Sequence, residues 1–112
     1  MSFTENQTAR IRLLNDILRE TMMGGQVVFT QGVRSLPTDQ IAIAMRMVRE
    51  FNAFTKDNDP HGEHDFGAFN VYGQKLLWKI DCYDKSMQHG SDDPSDIGKT
   101  SRVLTIMLAS EY

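Results

Sequence analysis

The sequence contains one cysteine, Cys82, three prolines and no long hydrophobic run in its 112 residues. A single cysteine cannot form an internal disulfide or a cysteine-rich zinc site, which excludes a small scaffold held together by such links. The longest uninterrupted apolar segment, residues 41–45, is far too short to cross a membrane. Residues 1–6 also lack the pattern of a secretory signal. We therefore expect a protein of the reducing cytoplasm without a membrane span.

Net charge is also small. The chain has 12 lysine and arginine residues against 15 aspartate and glutamate residues, which gives a formal net charge of -3. A total so close to zero argues against bulk attraction to nucleic acid or anionic lipid. With 40% hydrophobic residues, a chain of this length can bury one core but cannot form two full domains. We expect a single domain, residues 1–112.

The charge is unevenly distributed along the chain. Residues 57–96 hold 3 basic and 9 acidic side chains, a net charge of -6, and they contain all three histidines. Residues 1–56 hold 7 basic and 5 acidic side chains, and residues 97–112 hold 2 and 1. The acidic middle segment is therefore the first place to look for function.

Hydrophobic spacing predicts a helix within the first 23 residues. Two overlapping capping boxes begin it, with the residue pairs Ser2–Glu5 and Thr4–Gln7. The glycine pair at residues 24–25 ends it, since glycine accepts the left-handed conformation of a helix end. The predicted apolar face comprises Ile11, Leu14, Ile17, Leu18 and Met22. The predicted solvent face comprises Arg10, Arg12, Arg19 and Glu20.

A short strand and a second helix follow. Residues 26–30 are rich in β-branched and aromatic side chains, which favours a strand. Pro37 suits the first turn of a helix that spans about residues 38–54. The apolar stripe of this helix is wider than a surface helix needs. The helix is therefore either central in the fold or in contact with a partner, and a homodimer through it is one alternative.

A two-residue turn at residues 72–73 joins two predicted strands, residues 66–71 and 74–83. In this register the numbers of paired residues sum to 145, which places His64 opposite Asp81. Residues that alternate along the hairpin then form one apolar face and one polar face. The apolar face is the natural core face.

The remaining chain is predicted to form a loop and a closing helix. Residues 85–96 are polar and carry turn residues. Apolar residues near the end predict the closing helix, and these are Val103, Leu104, Met107 and Leu108. The predicted fold class is α+β. Its small antiparallel sheet combines the short strand and the hairpin, about three helices pack on that sheet, and the order is α-β-α-β-β-α.

Residues 55–65 form a polar loop whose function has more than one interpretation. In a structural interpretation, its side chains cap turns and His64 hydrogen-bonds Asp81. In a binding interpretation, which we favour, the acidic loop and hairpin engage a basic protein partner as a non-catalytic module. The candidate binding residues are Asp57, Asn58, Asp59, His61, Glu63, His64, Asp65, Asp81 and Asp84.

A metal-dependent hydrolase or nuclease is the alternative. His61, His64 and Asp81 would then bind a divalent metal ion. Glu63 would act as the base and Lys79 would stabilise developing negative charge. Recognised motifs are incomplete, because a zinc deaminase needs two further cysteines and a calcium loop needs a glutamate at its twelfth position. The favoured interpretation therefore includes no cofactor and no catalytic residue.

Three blocks, residues 57–69, 78–84 and 103–108, resemble a family of short bacterial proteins catalogued as a domain of unknown function. Together with the first helix and the first strand, the resemblance spans nearly the whole chain. The family implies no activity, ligand or catalytic residue. Its genes resemble the cargo of plasmids, phages and other mobile elements, which implies a protein that binds or inhibits a larger nucleic-acid-handling or defence complex.

Overall fold

The computed structural model describes residues 3–112 as three helices and four strands. The helices are α1 (Glu5–Thr21), α2 (Gln31–Arg34) and α3 (Thr38–Glu50). The strands are β1 (Gln26–Phe29), β2 (Phe66–Val71), β3 (Gln74–Tyr83) and β4 (Ser101–Leu108), and a 3-10 turn, Ala109–Glu111, follows β4. The predicted α+β class is confirmed.

The four strands form one mixed sheet in the order β1-β4-β3-β2. β2 and β3 pair as the predicted hairpin, and the predicted register is confirmed, with Gly67 opposite Trp78. Tyr72 and Gly73 have φ angles of 46° and 83°, as a two-residue turn of the type I′ kind requires. The two-residue turn thus determines the register in which β2 and β3 pair.

The predicted closing helix is wrong, because that segment forms strand β4. β4 lies inside the sheet, antiparallel to β3 and parallel to β1, so the sheet is mixed rather than antiparallel throughout. Val103 and Met107 on one face and Leu104 and Ile106 on the other are all buried. A strand buried on both faces has a continuous apolar run, and spacing alone does not distinguish such a run from a buried helix.

α1 begins as predicted but presents a different face to the core. The capping box of Thr4 and Gln7 is formed, whereas Ser2 of the other predicted box lies outside the described residues. Ile17, predicted to be in the core, is 42% exposed, and Arg19, predicted to face solvent, is 3% exposed. Both predictions are wrong. Arg19 has polar partners inside the fold, so its side of α1 faces inward, and Ile17, on nearly the opposite side of the helix, faces outward.

The core lies between one face of the sheet and the helices. Trp78 of β3 is fully buried and packs edge-on against the rings of Phe51 and Phe54, with centroid distances of 5.5 and 6.1 Å. α3 ends at Glu50, earlier than predicted. Its wide apolar stripe packs on this core, with Ala44 and Val48 fully buried. The core therefore accounts for the width of the stripe.

None of the helices within residues 3–112 is long and apolar enough to span a membrane.

Candidate functional site

One polar face of α1 holds the polar loop of residues 55–65 in place. Three side chains of α1 bond three consecutive loop residues: Arg12 to the Gly62 carbonyl (2.9 Å), Asn15 to the Glu63 carbonyl (3.0 Å) and Asp16 to the His64 ring (2.9 Å). Positions 12, 15 and 16 share a face because residues three and four apart are neighbours on a helix. The loop is therefore anchored to α1, a contact that sequence spacing did not reveal.

His64 lies between two carboxylates. Its Nδ1 is 2.9 Å from Asp16 Oδ1 and its Nε2 is 3.7 Å from Asp59 Oδ2. The ring stacks on Phe54 at a centroid distance of 3.7 Å. The predicted pair of His64 and Asp81 is wrong, since His64 has left the strand with a φ of 53°. His64 therefore serves as a link between the loop and α1.

Several candidate residues build turns, as the structural interpretation predicts. The Asn58 side chain accepts from the backbone amide of Thr55 and donates to the carbonyl of Ala53. Buried Asp59 accepts from the amides of Glu63 and His64. Asp84, which directly follows β3, likewise shapes its own turn, and a hydrogen bond from the Ser86 hydroxyl lowers the pKa of its carboxyl.

Glu63 and Asp65 differ from these turn residues, because within residues 3–112 neither carboxylate forms an ion pair. Burial raises the pKa of both carboxyls, and the negative charge of nearby Asp59 raises them further. Asp81 adds to the effect at Asp65, although its own carboxylate also binds Lys79. We call Glu63, Asp65 and Asp81 the acidic surface. It carries negative charge that the described chain only partly neutralises.

The geometry does not support the divalent-metal alternative. Within residues 3–112, no group of three histidine, cysteine, aspartate or glutamate side chains is placed to hold a metal ion. His61 is exposed, His64 is bound to Asp16 and Asp81 is bound to Lys79. The three predicted ligands thus have separate environments. Asp57, like His61, is exposed on the loop.

Cys82 has the environment of an unreactive thiol. Burial raises the pKa of its thiol, and the positive charge of Arg102 only partly opposes the change. Because the thiolate is the nucleophilic form of cysteine, a raised pKa lowers its reactivity at neutral pH. Arg102 itself is buried, donates to Asn15 through a 2.8 Å hydrogen bond and also bonds the carbonyl of Pro94. These contacts join β4 to α1 and to the segment of residues 85–96.

Arg19 joins α1 to the end of α3. Its Nη1 donates to the carbonyls of Val48 (2.9 Å), Arg49 (3.3 Å) and Phe51 (2.9 Å), and its Nη2 lies 3.0 Å from Asp16 Oδ1. The last carbonyls of a helix have no partner within the helix, and Arg19 supplies one. Sequence reasoning missed this role because an arginine on an amphipathic helix is normally assigned to solvent.

A cleft of about 430 Å³ lies between α1 and the end of α3, and Asp16, Arg19, Phe54 and His64 are among its lining residues. Asp16 bonds both Arg19 and His64. The polar groups at this side of the cleft therefore bind one another. Of these three side chains only Arg19 keeps a buried atom without a hydrogen-bond partner within residues 3–112, its Nε. This side of the cleft therefore presents paired charges rather than a free one.

Replacing Asp65 with asparagine should stabilise the protein at neutral pH. A carboxyl whose pKa is higher in the folded state than in the unfolded chain binds its proton more tightly when folded. Its contribution to stability is therefore lost as the pH rises from the ordinary carboxyl pKa through the raised value. We expect Asp65→Asn to raise the melting temperature by about 2 °C at pH 7 and to leave it unchanged at about pH 3.

Thermal unfolding of both proteins across this pH range measures the difference. Asp92→Asn provides the matched control, since Asp92 is exposed. This variant should have nearly the same melting temperature as the wild type across the pH range. A variant that is less stable than the wild type at pH 7 would contradict the assigned environment of Asp65.

Comparison with known proteins gives one family. Residues 29–111, which run from the last residue of β1 into the final 3-10 turn, match a family described as "Protein of unknown function (DUF3768)". The match therefore includes the polar loop, the hairpin and β4, and α1 precedes it. No curated protein and no solved structure matches the chain.

Proposed function

We propose that this chain, which belongs to the DUF3768 family of proteins of unknown function, is a binding or regulatory module whose acidic surface engages a basic protein partner. Membership confirms the resemblance seen in the sequence and assigns no activity. The partner that we propose is a basic subunit of a larger nucleic-acid-handling or defence complex in the cytoplasm. In this proposal the protein comes from a mobile element and regulates or inhibits that complex without catalysis.

The pair of carboxylates in the acidic surface is the observation that carries the proposal. Glu63 and Asp65 are partly buried. Besides burial, the negative charge of Asp65 raises the pKa of Glu63, and the charge of Asp59 raises the pKa of both carboxyls. Neither carboxylate forms an ion pair within residues 3–112. Such charges reduce stability in the free protein. A lysine or arginine of a partner would supply the missing positive charge at this position, which favours association.

The rigid support of the loop also favours binding. The backbone of Gly62 and Glu63 is held by Arg12 and Asn15 of α1, and Asp59 closes the turn from within. A surface that is already ordered loses less conformational entropy when it binds than a mobile loop does. The backbone that carries the acidic surface is therefore already ordered in the free protein.

A double variant, Glu63→Gln with Asp65→Asn, tests the proposal. Tagged protein captures partners from a native lysate, and the captured protein is then purified for affinity measurement. We expect the double variant to bind the partner at least about tenfold more weakly than the wild type does. Binding by the wild type should also weaken between about 0.1 and 0.5 M salt, because salt screens charges.

The matched control is Asp39→Asn with Asp92→Asn, which removes the same total charge at two exposed positions away from the acidic surface. It should retain affinity within about twofold. Because the double variant should be more stable than the wild type, weaker binding cannot reflect unfolding. Equal loss in both variants, capture that is insensitive to salt, or no capture at all would reject the proposal.

A further inference from the structure

The outer face of α1 exposes two apolar side chains. Leu13 is 55% exposed and Ile17 is 42% exposed. They lie four residues apart, so they are neighbours on the helix surface. Single exposed apolar residues are common, but an adjacent pair on a helix makes a continuous apolar contact area. The neighbouring residues therefore decide what could cover this pair.

Two opposite charges flank the apolar pair. Arg10 precedes it and Glu20 follows it, both exposed and both on the same outer face by helical spacing. Within the described residues neither side chain forms an ion pair, and Arg10 uses its Nε for the carbonyl of Ser95. The order along the helix is thus positive, apolar, apolar, negative, and this order is complementary to itself when reversed.

A second copy of α1 that runs antiparallel about a two-fold axis matches this order. Positions whose numbers sum to 30 then meet, so Leu13 contacts Ile17 of the second copy and Arg10 lies beside Glu20 of the second copy. A two-fold interface uses the same patch on both chains, and each of these pairs therefore occurs twice.

We propose that the protein forms a homodimer through this outer face of α1. The loop-holding residues of α1, which are Arg12, Asn15 and Asp16, are not used by the interface. A dimer would therefore carry two acidic surfaces with their loops intact. Two linked sites bind a multivalent partner more tightly than one site does. The dimer stands independently of the proposed function, because it depends on α1 alone.

The dimer should be weak. Standard protein interfaces bury at least about 1,200 Å² of accessible surface area, and a single pair of helices buries less than that. We expect a dissociation constant of about 10–100 µM. Sedimentation equilibrium over micromolar to millimolar protein concentration measures it directly.

Charge reversal distinguishes this interface from every other one. Arg10→Glu places two acidic pairs across the interface, and Glu20→Arg places two basic pairs there, so each variant alone should self-associate at least about tenfold more weakly. An equimolar mixture of the two variants pairs opposite charges again and should form a heterodimer. Arg34→Glu, a reversal at an exposed residue of α2, should dimerise like the wild type.

Circular dichroism confirms that each variant is folded before sedimentation. A wild type that stays monomeric at millimolar concentration would overturn the proposal. So would single variants that dimerise normally, or a mixture that stays monomeric although the wild type dimerises, since another surface would then form the contact. Leu13→Ser with Ile17→Ser provides an independent check and should give monomers.

Discussion

Arg19→Met is expected to lower the free energy of unfolding by about 3–5 kcal/mol. Arg19 is 3% exposed, and its guanidinium serves three backbone carbonyls and the carboxylate of Asp16. Methionine fills a similar volume and retains helix propensity, but it donates no hydrogen bond. The carbonyls of Arg49 and Phe51 would then lose the donor that Arg19 supplies, and the Val48 carbonyl would keep only the amide of Phe51. Asp16 would lose one of its two partners.

Urea unfolding, followed by circular dichroism, measures the loss. Arg46→Met is the matched control, because Arg46 lies on α3 and forms only an exposed ion pair with Glu50. That pair should contribute about 0.3–0.5 kcal/mol. Similar effects for the two replacements would mean that Arg19 does not cap α3 as described.

Gly67→Ala is expected to destabilise the protein by about 3 kcal/mol. A Cβ atom at Gly67 would lie 2.3 Å from Nε1 of Trp78 and 2.8 Å from Cζ of Phe51. Both rings are packed in the core and cannot move without disturbing their neighbours. Gly67 thus allows β2 to approach the indole of the opposite strand.

Unfolding curves and the emission of Trp78, the one tryptophan, measure this effect. Gly90→Ala is the control, since its nearest neighbour would be the Cys82 carbonyl at 3.9 Å. Trp78→Phe removes the atom that the new methyl group meets. The double variant should therefore lose less stability than the two single variants added together, whereas strict additivity would contradict the close approach.

The hairpin was predictable because its turn is local. Tyr72 and Gly73 fix the loop length, and the loop length fixes the register of all six pairs. The extrapolation to His64 and Asp81 was wrong because the ladder ends at Asp65, whose carbonyl accepts from Ile80. Beyond it the left-handed His64 turns the chain toward α1. No local pattern in the sequence signals this change of partner.

Buried polar contacts between distant segments were the other part that the sequence did not reveal. Asn15 and Arg102 lie 87 positions apart and are joined by a buried hydrogen bond. Arg19 likewise has its carbonyl partners in α3. Helical periodicity assigns polar residues to solvent, so it fails where a polar side chain finds partners inside the fold.

The acidity of the polar loop was predictable, but the separate roles of its residues were not. Sequence reasoning treated the nine candidate residues alike. In the structure Asn58, Asp59 and Asp84 shape turns, whereas Glu63 and Asp65 have no ion-pair partner among residues 3–112. Whether a carboxylate is used by its own backbone depends on loop conformation, which composition does not determine. The interaction of this surface with a partner stays a prediction.

The place of β4 in the sheet also has a consequence for synthesis. β4 follows the other three strands in the chain, yet it lies between β1 and β3. During translation β1 and the hairpin leave the ribosome with their inner edges unpaired, and unpaired edges promote association with other chains. The parallel contact of Gln26 with Val103 closes a long loop, which slows folding. The two parts of the sheet therefore cannot join until β4 has emerged.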